Sequence, residues 1–525
     1  MSPSQQTQIV SVGGSLLLLG MVLTRLLYFY TASDEQLITV IPDDAFYYLQ
    51  MATHRLTDGF WSFDGVAVST GFHLLFGYFL YFLQLVFGLL DWRALFLIVG
   101  LCSSLLLASA SYCITKCAGS LLGPSAALFA LAPFLTAANL MQSTAMMESW
   151  LVIFFSALTL YSVVQQQRPT RTQSAILIAI GLLGSLARSD FGLLPGMLTL
   201  TFLLGQRAIT AELVRSGLVL VGSIIGVALS LLHNALTAGH LFQASAQTKL
   251  WWSTTLGHSV DNALQMTLFA ATPSYFYFDA YWKMAGGVAL GLCLWRSYRK
   301  TGQIASFMQS KTVCLPGLAC GATIAGYIIF YRFNSQSLQY WYIANFLAPS
   351  ALGLATLAYL VFRGRILIPG VIVCGIYLIA AIPNIWLMQS PAQIQMLKAA
   401  QYLAHAPTAE SVMPPGNSSS IGAWNAGILS YFSGKPLVNL DGLANDEIYP
   451  YLQKNNLLAY MRHREIHYVI DFASMLSSLP MQQRGGYKGV PIEDCFIPLQ
   501  IFQMDQTALE KNPIVLYRVQ EHCVQ

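Results

Sequence analysis

Long apolar stretches recur along most of the chain, separated by short polar stretches. A membrane-spanning helix needs about 20 mainly apolar residues, and twelve segments reach or approach that length. They are 9–30, 71–90, 92–115, 121–141, 150–164, 174–187, 190–205, 212–236, 280–295, 312–332, 342–362 and 366–388. The first segment is longer than the apolar core of a signal peptide and has no basic residue before it, so we expect a retained anchor. The pattern predicts a polytopic α-helical membrane protein.

The composition agrees with this pattern and excludes several classes of protein. Of the 525 residues, 55% are hydrophobic and only 10% are charged, whereas soluble domains carry about 25% charged residues. A soluble enzyme, a disordered or fibrous chain and a nucleic-acid-binding protein are therefore excluded. Residues 1–388 hold 18 basic and 12 acidic residues, while residues 389–525 hold 9 and 11. We predict a membrane domain over 1–388 and an appended soluble domain over 389–525.

Basic residues in the short loops predict how the chain is oriented, because Lys and Arg concentrate on the cytoplasmic side. Five basic loops alternate consistently along the chain. They contain Lys116; Arg168 and Arg171; Arg207 and Arg215; Arg296, Arg299, Lys300 and Lys311; and Arg363 and Arg365. This alternation places 139–149, 188–190, 237–279, 333–341 and the soluble domain outside.

The first loop, 31–70, holds six acidic residues and is predicted to lie outside as well. An odd number of spans must then separate it from the inside residue Lys116, yet two apolar segments lie between them. We expect 71–90 to be the segment that does not cross, because its aromatic residues suit a helix in the membrane interface. The prediction becomes eleven spans with the N-terminus inside, and a first external loop over 31–91 that contains an interfacial helix.

The soluble domain alternates between short strand-like and helix-like segments. Strands are predicted over 419–424, 436–440, 466–472, 496–502 and 514–519, with a helix over 425–432. This alternation predicts an α/β domain with a partly parallel sheet. Cys495 and Cys523 are its only two cysteines, and they could form a disulfide outside the cell or remain free thiols.

An acidic pair follows Pro42 in the first loop. Asp43 and Asp44 could simply lie in the first turn of a helix, where the helix dipole favours anions. Alternatively, a carboxylate placed where the chain leaves the bilayer could act as a general base or bind a divalent cation. The residues alone leave both interpretations open.

Four other outside segments carry candidate groups, each with a purely structural alternative. The acid Glu148 could take part in a reaction or only lie at the start of a helix. The pair Arg188 and Asp190 could take part in a reaction or only neutralise each other. Region 237–279 contains Lys249, and region 331–342 contains Arg332 and Tyr340; their aromatic neighbours could be interfacial anchors. A basic group there could equally bind a lipid phosphate.

The candidate groups all fall on one predicted face of the membrane, while the spans are nearly free of ionisable residues. A transporter would more typically bury some of them in mid-span. The distribution therefore favours a reaction at the outer interface over transport through the helix bundle.

Several stretches resemble the GT-C superfamily of polyprenyl-phosphate-sugar-dependent membrane glycosyltransferases, which includes protein O-mannosyltransferases, aminoarabinose transferases and oligosaccharyltransferase catalytic subunits. The stretches IPDDAFYYLQMA, GFWSFDG and STGFHLL resemble the first external loop of these enzymes. MMES resembles the Gly-Met-Glu-Thr-type motif of bacterial members, and LARSD resembles their Leu-x-Arg-x-Asp motif. WNAGILSYFSGKPLVNLDGLAND resembles a tail motif of bacterial members. Leu74 replaces the Pro that commonly follows GFH.

The resemblance implies roles for particular residues. Asp43 or Asp44 would be the catalytic base, and we slightly favour Asp43 because it lies nearer the start of the helix. Glu148 matches an acid that helps to hold a divalent metal in some relatives, so a site at Asp44 and Glu148 is considered, although the sequence requires no cofactor. The basic groups expected to hold the donor phosphate are Arg188, Lys249 and Arg332. The groups expected to support the site are Glu148, Asp190, His73 and Tyr340.

The function implied is transfer of a sugar, with inversion, from a polyprenyl-phosphate donor to a glycan, lipid or protein acceptor. The reaction would take place at the outer face of a bacterial inner membrane, with the soluble domain also extracytoplasmic. Two alternatives stay open: a transporter of lipid-linked sugars or polysaccharides, and a non-catalytic envelope assembly protein in which the acidic pair only caps a helix.

Overall fold

A computed structural model of the protein describes residues 2–205, 209–257, 311–334, 338–362, 367–405, 421–502 and 512–524. The predicted span 280–295 and the predicted inside loop 296–311, except its last residue, lie outside these ranges. Five of the described helices are long and apolar enough to cross a membrane. They are Pro3–Thr31, Trp92–Leu122, Ala211–Ala238, Tyr340–Phe362 and Leu367–Trp386.

The other helices of the membrane domain, apart from the 24-residue helix Lys311–Asn334, are shorter than these five. They are Asp34–Ile38, Asp43–Thr57, Leu74–Phe87, Pro124–Leu131, Ala137–Gln142, Ser149–Val163, Arg171–Ala187, Leu193–Gly205, Ala244–Leu256 and Lys311–Asn334. Short 3-10 turns occupy Ala132–Leu135, Ser189–Gly192, Tyr340–Ile343 and Ile382–Trp386. The predicted polytopic helical architecture is confirmed, while the number of eleven spans stays a prediction.

The first-loop helix Leu74–Phe87 has 14 residues, which correspond to about 21 Å at 1.5 Å per residue. The hydrocarbon core of a bilayer is about 30 Å thick, so this helix is too short to cross it upright. Its length agrees with the predicted interfacial helix, whose position relative to the membrane stays a prediction.

Close backbone contact positions the corner that carries Arg188. Helices Arg171–Ala187 and Ala211–Ala238 meet at glycines: a Cβ on Gly181 would lie 1.9 Å from the carbonyl oxygen of Val219, and one on Gly222 would collide with the Ile178 carbonyl. Small residues allow membrane helices to approach this closely. The packing fixes the end of helix Arg171–Ala187, where the chain enters the segment 188–190 that is predicted to lie outside.

Sequence analysis overlooked one buried cation in the first helix. Arg25 is fully buried and donates hydrogen bonds to the carbonyl oxygens of Asn384, Ile385 and Leu387, and to the hydroxyl of Thr144. These carbonyl groups belong to the segment that leads into the soluble domain. Arg25, which lies in a predicted apolar segment, therefore connects helix Pro3–Thr31 to the segment that leads into the soluble domain.

The C-terminal part forms the predicted α/β domain around a five-stranded sheet with strand order β2-β1-β3-β5-β4. The strands are β1 (Ile421–Ala423), β2 (Val438–Asn439), β3 (Tyr468–Phe472), β4 (Phe496–Phe502) and β5 (Ile514–Val519). Strand β1 pairs in parallel with β2 and β3, whereas β5 is antiparallel to β3 and β4. The partly parallel sheet is therefore confirmed.

Short helices surround this sheet and connect it to the membrane domain. They are Gln393–His405, Gly427–Ser433, Tyr449–Gln453, Leu457–His463, Ala473–Ser477, Leu479–Arg484, Ile492–Cys495 and Glu521–Val524. The helix predicted over 425–432 corresponds to Gly427–Ser433. The predicted domain boundary after residue 388 stays a prediction.

The two cysteines of the soluble domain form a disulfide, Cys495–Cys523, with a Cα–Cα distance of 5.7 Å. Antiparallel pairing of β4 with β5 places Phe496 opposite Val519, which brings the flanking cysteines together. The disulfide alternative is therefore the one that the structure adopts.

Replacing both cysteines by serine should lower the stability of the soluble domain by about 3–4 kcal/mol, the chain-entropy value for a loop of this length. Urea-dependent proteolysis of the full-length protein in detergent would measure the loss. Alkylation of both thiols in denatured, non-reduced wild-type protein would contradict the disulfide.

A cysteine introduced at the exposed position Lys488 should react with a membrane-impermeant thiol reagent on intact cells, whereas one at the exposed position Gln166 should not. The first position belongs to the domain predicted outside, and the second lies in a basic loop predicted inside. Permeabilised cells, in which both positions should react, provide the control. Labelling of Gln166→Cys from outside would overturn the orientation.

Candidate active site

The predicted outside segments converge on one cavity with a volume of about 540 Å³. Its walls come from the first loop, the turn before Ser149–Val163, the corner at 188–190, helix Ala244–Leu256, the segments around 330–342 and the soluble domain. The predicted site residues that line it are Asp44, His73, Glu148, Arg188, Asp190 and Lys249.

Asp43 does not line this cavity. Its carboxylate accepts hydrogen bonds from the backbone N–H groups of Gly427 and Ile428, at 3.2 and 2.6 Å. These groups lie at the start of helix Gly427–Ser433, where the N–H groups have no partner inside the helix. Asp43 therefore joins the first loop to the soluble domain. This geometry disfavours Asp43 as the base, and the choice between the two acids stays a prediction.

Asp44 follows immediately and faces the cavity. Within the part of the chain that the structure describes, its carboxylate makes no hydrogen bond. Burial raises the pKa of Asp44, Lys249 acts in the opposite direction, and Glu148 raises it further. A carboxylate with a raised pKa is a stronger base than an ordinary aspartate.

Arg188 lies between two carboxylates. One guanidinium nitrogen lies 2.8 Å from Glu148 and another lies 3.0 Å from Asp190. The guanidinium also stacks over the ring of Tyr342, 4.3 Å from its centroid, and the hydroxyl of Tyr331 bonds to Asp190. The arginine is therefore already neutralised by the protein, although it still lines the cavity.

His73 lies beside the same cluster, with Nε2 3.6 Å from Glu148. Tyr48 links the two residues, since its hydroxyl donates to Glu148 and accepts from the backbone N–H of His73, both at 3.3 Å. Burial lowers the pKa of His73 to about 4. The imidazole is therefore neutral near pH 7.

Lys249 is the second cationic residue that lines the cavity. Its Nζ donates to the hydroxyl of Tyr342 at 2.6 Å and lies 4.9 Å from the centre of that ring. Among the described residues, no carboxylate comes within 4 Å of it. Burial alone would lower the pKa of Lys249, but Tyr342 and Asp44 raise it overall, so the ammonium group is charged.

Besides Asp43, two predicted site residues, Arg332 and Tyr340, lie outside the cavity. Helix Lys311–Asn334 presents Phe330, Tyr331 and Asn334 to it, so Arg332 points away and instead lies over the ring of Phe333. Tyr340 packs against Trp341, and the tyrosine of that turn that lines the cavity is Tyr342. Neighbouring positions of the backbone face different directions, which a pattern of residue types does not show, and a role for Arg332 or Tyr340 in the reaction stays a prediction.

The oxygen atoms available at Asp44 and Glu148 do not suit the divalent metal ion predicted to bind there. Both oxygens of Glu148 accept from protein donors, Arg188 and Tyr48, which leaves Asp44 alone. Within the described ranges, no group of three or more His, Cys, Asp or Glu side chains is arranged to hold a metal ion. No step proposed below uses a metal.

The soluble domain supplies part of the cavity wall, which sequence analysis missed. Leu443 and Tyr449 line the cavity. Gly71 of the first loop packs so closely on Leu443 that an added Cβ would lie 1.8 Å from its carbonyl oxygen. The tail motif NLDGLAND contains Leu443, but the sequence gives no sign that it reaches the site. The sequence around Tyr449 likewise gives no sign that this residue reaches the cavity.

Comparison with known proteins gives two kinds of match. A family model described as a domain of unknown function (DUF8728) matches residues 384–515. No curated protein matches the sequence. Solved structures match almost the whole chain at low identity.

One of these structures is ArnT from Cupriavidus metallidurans bound to undecaprenyl phosphate, which is 12% identical with a TM-score of 0.54 and covers 97% of this chain and 99% of that chain. The oligosaccharyltransferase of Archaeoglobus fulgidus in complex with Zn and sulfate is also 12% identical, with a TM-score of 0.54, and covers 95% and 72%. The archaeal oligosaccharyltransferase AglB, from the same organism, in complex with an inhibitory peptide and a dolichol-phosphate, is 12% identical, with a TM-score of 0.53 and coverage of 98% and 74%. The chain therefore has the fold of the GT-C membrane glycosyltransferases.

Proposed function

We propose that the protein is an inverting glycosyltransferase, which moves a sugar from a polyprenyl-phosphate donor to a hydroxyl group of an envelope glycan, lipid or protein. Solved structures of the same fold hold undecaprenyl phosphate in ArnT and dolichol-phosphate in AglB. They support a lipid phosphate as the carrier. We place the reaction on the extracytoplasmic side of a bacterial inner membrane, where the sequence predicts the loops that build the cavity.

The observation that carries this proposal is that one cavity holds an aspartate without a hydrogen-bond partner and a lysine without a carboxylate partner. Among the described residues, Asp44 makes no side-chain hydrogen bond, and Lys249 donates to Tyr342 but has no carboxylate within 4 Å. Both side chains line the cavity, and each shifts the pKa of the other. Both are half-buried, and a charge partly removed from water without a full set of partners is costly, so we infer that substrate completes the arrangement.

The chemistry follows from these two groups. Asp44 removes the proton from the acceptor hydroxyl, whose oxygen attacks the anomeric carbon of the donor sugar. The bond from that carbon to the phosphate oxygen breaks, and the polyprenyl phosphate leaves with the electron pair. Lys249 stabilises the negative charge that develops on the leaving phosphate, and attack from the opposite face inverts the anomeric centre.

The remaining candidates take supporting roles. Arg188 faces the cavity but is bound by Glu148 and Asp190, so its contribution to the phosphate is secondary to that of Lys249. The carboxylates of Glu148 and Asp190 fix the orientation of Arg188. Neutral His73 can form a hydrogen bond with a sugar hydroxyl without adding charge to the cavity.

Two alternatives differ from this proposal in what the cavity does. A transporter of lipid-linked sugars would move the donor without cleaving it, and an assembly protein would bind a glycan without turnover. Release of free polyprenyl phosphate from a sugar-loaded donor separates the proposal from both.

Asp44→Asn should lower sugar transfer by about 10²–10⁴-fold, the usual contribution of a general base. In the wild type, the rate should fall as the pH drops through the pKa of Asp44, because the base must be ionised. Burial raises that pKa, so the fall should come above the ordinary aspartate range near 3.9, and it should be absent from Asp44→Asn. Release of polyprenyl phosphate over a pH series would measure both effects.

Asp43→Asn is the matched control, because it changes the adjacent carboxylate in the same way. It should destabilise the contact with Gly427 and Ile428 by about 1–3 kcal/mol and slow turnover less than Asp44→Asn does. Equal losses of turnover in the two variants, or near-normal turnover in Asp44→Asn, would show the base assignment to be wrong.

Lys249→Gln should raise the KM for the lipid-linked donor and lower kcat, because charge-assisted contacts to a phosphate are about twice as strong as neutral ones. Steady-state kinetics with varied donor would measure the change. Arg332→Gln is the control, since Arg332 lies outside the cavity. A larger donor effect in Arg332→Gln than in Lys249→Gln would contradict the assignment.

A further inference from the structure

The helix that carries Lys249, Ala244–Leu256, is held largely by residues from other parts of the chain. Its N-cap residue, Gln243, provides no side-chain hydrogen bond to the free N–H groups of the first turn. Such groups need a partner when they are buried, and the backbone N–H of Ala244 donates instead to the hydroxyl of Thr70, at 3.0 Å. The first external loop therefore caps this helix.

Thr70 is held in turn by Asp446 of the soluble domain. One oxygen of Asp446 accepts from the Thr70 backbone N–H at 2.9 Å, and the other accepts from the Thr70 hydroxyl at 2.6 Å. The hydroxyl has one proton to donate, and it gives that proton to Asp446 while its oxygen accepts from Ala244. Asp446 thus fixes the direction in which Thr70 caps the helix.

His240 completes this junction from the segment before the helix. Its Nε2 lies 2.8 Å from Asp446, and its Nδ1 lies 2.8 Å from the carbonyl oxygen of Phe242. Asp446 therefore binds both the cap of the helix and the segment that leads into it.

The soluble domain also contacts the middle and the far end of the same helix. The hydroxyl of Thr248, next to Lys249, donates to the carbonyl oxygen of Gly442 at 3.1 Å. The guanidinium of Arg484 lies over the ring of Trp252, 3.8 Å from its centroid. The helix therefore contacts the soluble domain directly at Thr248 and Trp252, and at its beginning it is linked to that domain through Thr70 and His240.

We propose that Asp446 is a positioning residue for the reaction cavity: through Thr70 and His240 it sets the helix from which Lys249 reaches the donor phosphate. The domain of unknown function would then act by fixing the geometry of a site in the membrane domain. The catalytic consequence rests on the function proposed above, whereas the structural link does not.

The neighbouring acid, Glu447, provides a matched control. It pairs with His463 and Arg464, at 3.1 and 2.7 Å, and makes no hydrogen bond or ion pair with Thr70 or His240 among the described residues. Its replacement changes the charge of the same loop without removing a hydrogen bond made by Asp446, Thr70 or His240. Thr70 offers a second pair of variants, since serine keeps the hydroxyl and valine removes it at nearly constant shape.

Hydrogen–deuterium exchange of the full-length protein in detergent tests the structural link without any assay of turnover. Asp446→Ala and Thr70→Val should speed exchange in residues 244–256 by roughly 5- to 100-fold, as expected when buried donors lose their partner. Thr70→Ser and Glu447→Gln should leave that exchange unchanged. Unchanged exchange in both Asp446→Ala and Thr70→Val, or equal acceleration in Glu447→Gln, would overturn the proposal.

Donor kinetics test whether Asp446 acts through Lys249. Asp446→Ala should raise the donor KM, and the double variant with Lys249→Gln should be little worse than Lys249→Gln alone, because coupled residues are not additive. Fully additive losses would show that Asp446 supports only general folding and would overturn the positioning role. Absence of sugar transfer in the wild type would refute the proposed function, and the exchange measurement would still decide the link between Asp446 and the helix.

Discussion

The ion pairs that hold Arg188 between Glu148 and Asp190 determine the charge balance of the whole cavity. Burying three charges is costly unless each finds a partner, and here the guanidinium satisfies both carboxylates and stacks over Tyr342. Two carboxylates against one guanidinium leave an excess negative charge. A phosphate beside this cluster would therefore need another cation, and in the proposed function Lys249 of helix Ala244–Leu256 supplies it.

The consecutive residues Asp43 and Asp44 serve different purposes because adjacent side chains on a helix point about 100° apart. The first binds the start of a helix in the soluble domain, and the second faces the cavity. The second depends on the first: the contact made by Asp43 holds the rotation of helix Asp43–Thr57, and that rotation directs Asp44. Two consecutive acidic residues in a sequence do not show which one binds the soluble domain and which one faces the cavity.

The same limit explains which parts of the site could be predicted from the sequence. Asp44 and Lys249 were found because an acid or a base in an outside loop is visible from charge alone. The cavity-facing position of Tyr331, and not of its neighbour Arg332, could not be predicted because only the helical phase shows it. Leu443 was missed because nothing local relates it to a loop more than 370 positions earlier. The fold class was predictable from apolar length and charge alternation, whereas the contacts between distant segments were not.

The junction between the soluble domain and the first loop is polar as well as tight. Arg464 and Asp64, 400 positions apart in the chain, form a nearly buried ion pair at 2.7 Å, and the hydroxyl of Tyr47 bonds to the backbone of Trp424 and Ala426. Buried polar contacts add little net stability, but breaking one partner is costly, so they favour a single arrangement. A cavity whose walls come from both domains needs such an arrangement, because a small shift between the walls would separate the groups that must act on one substrate.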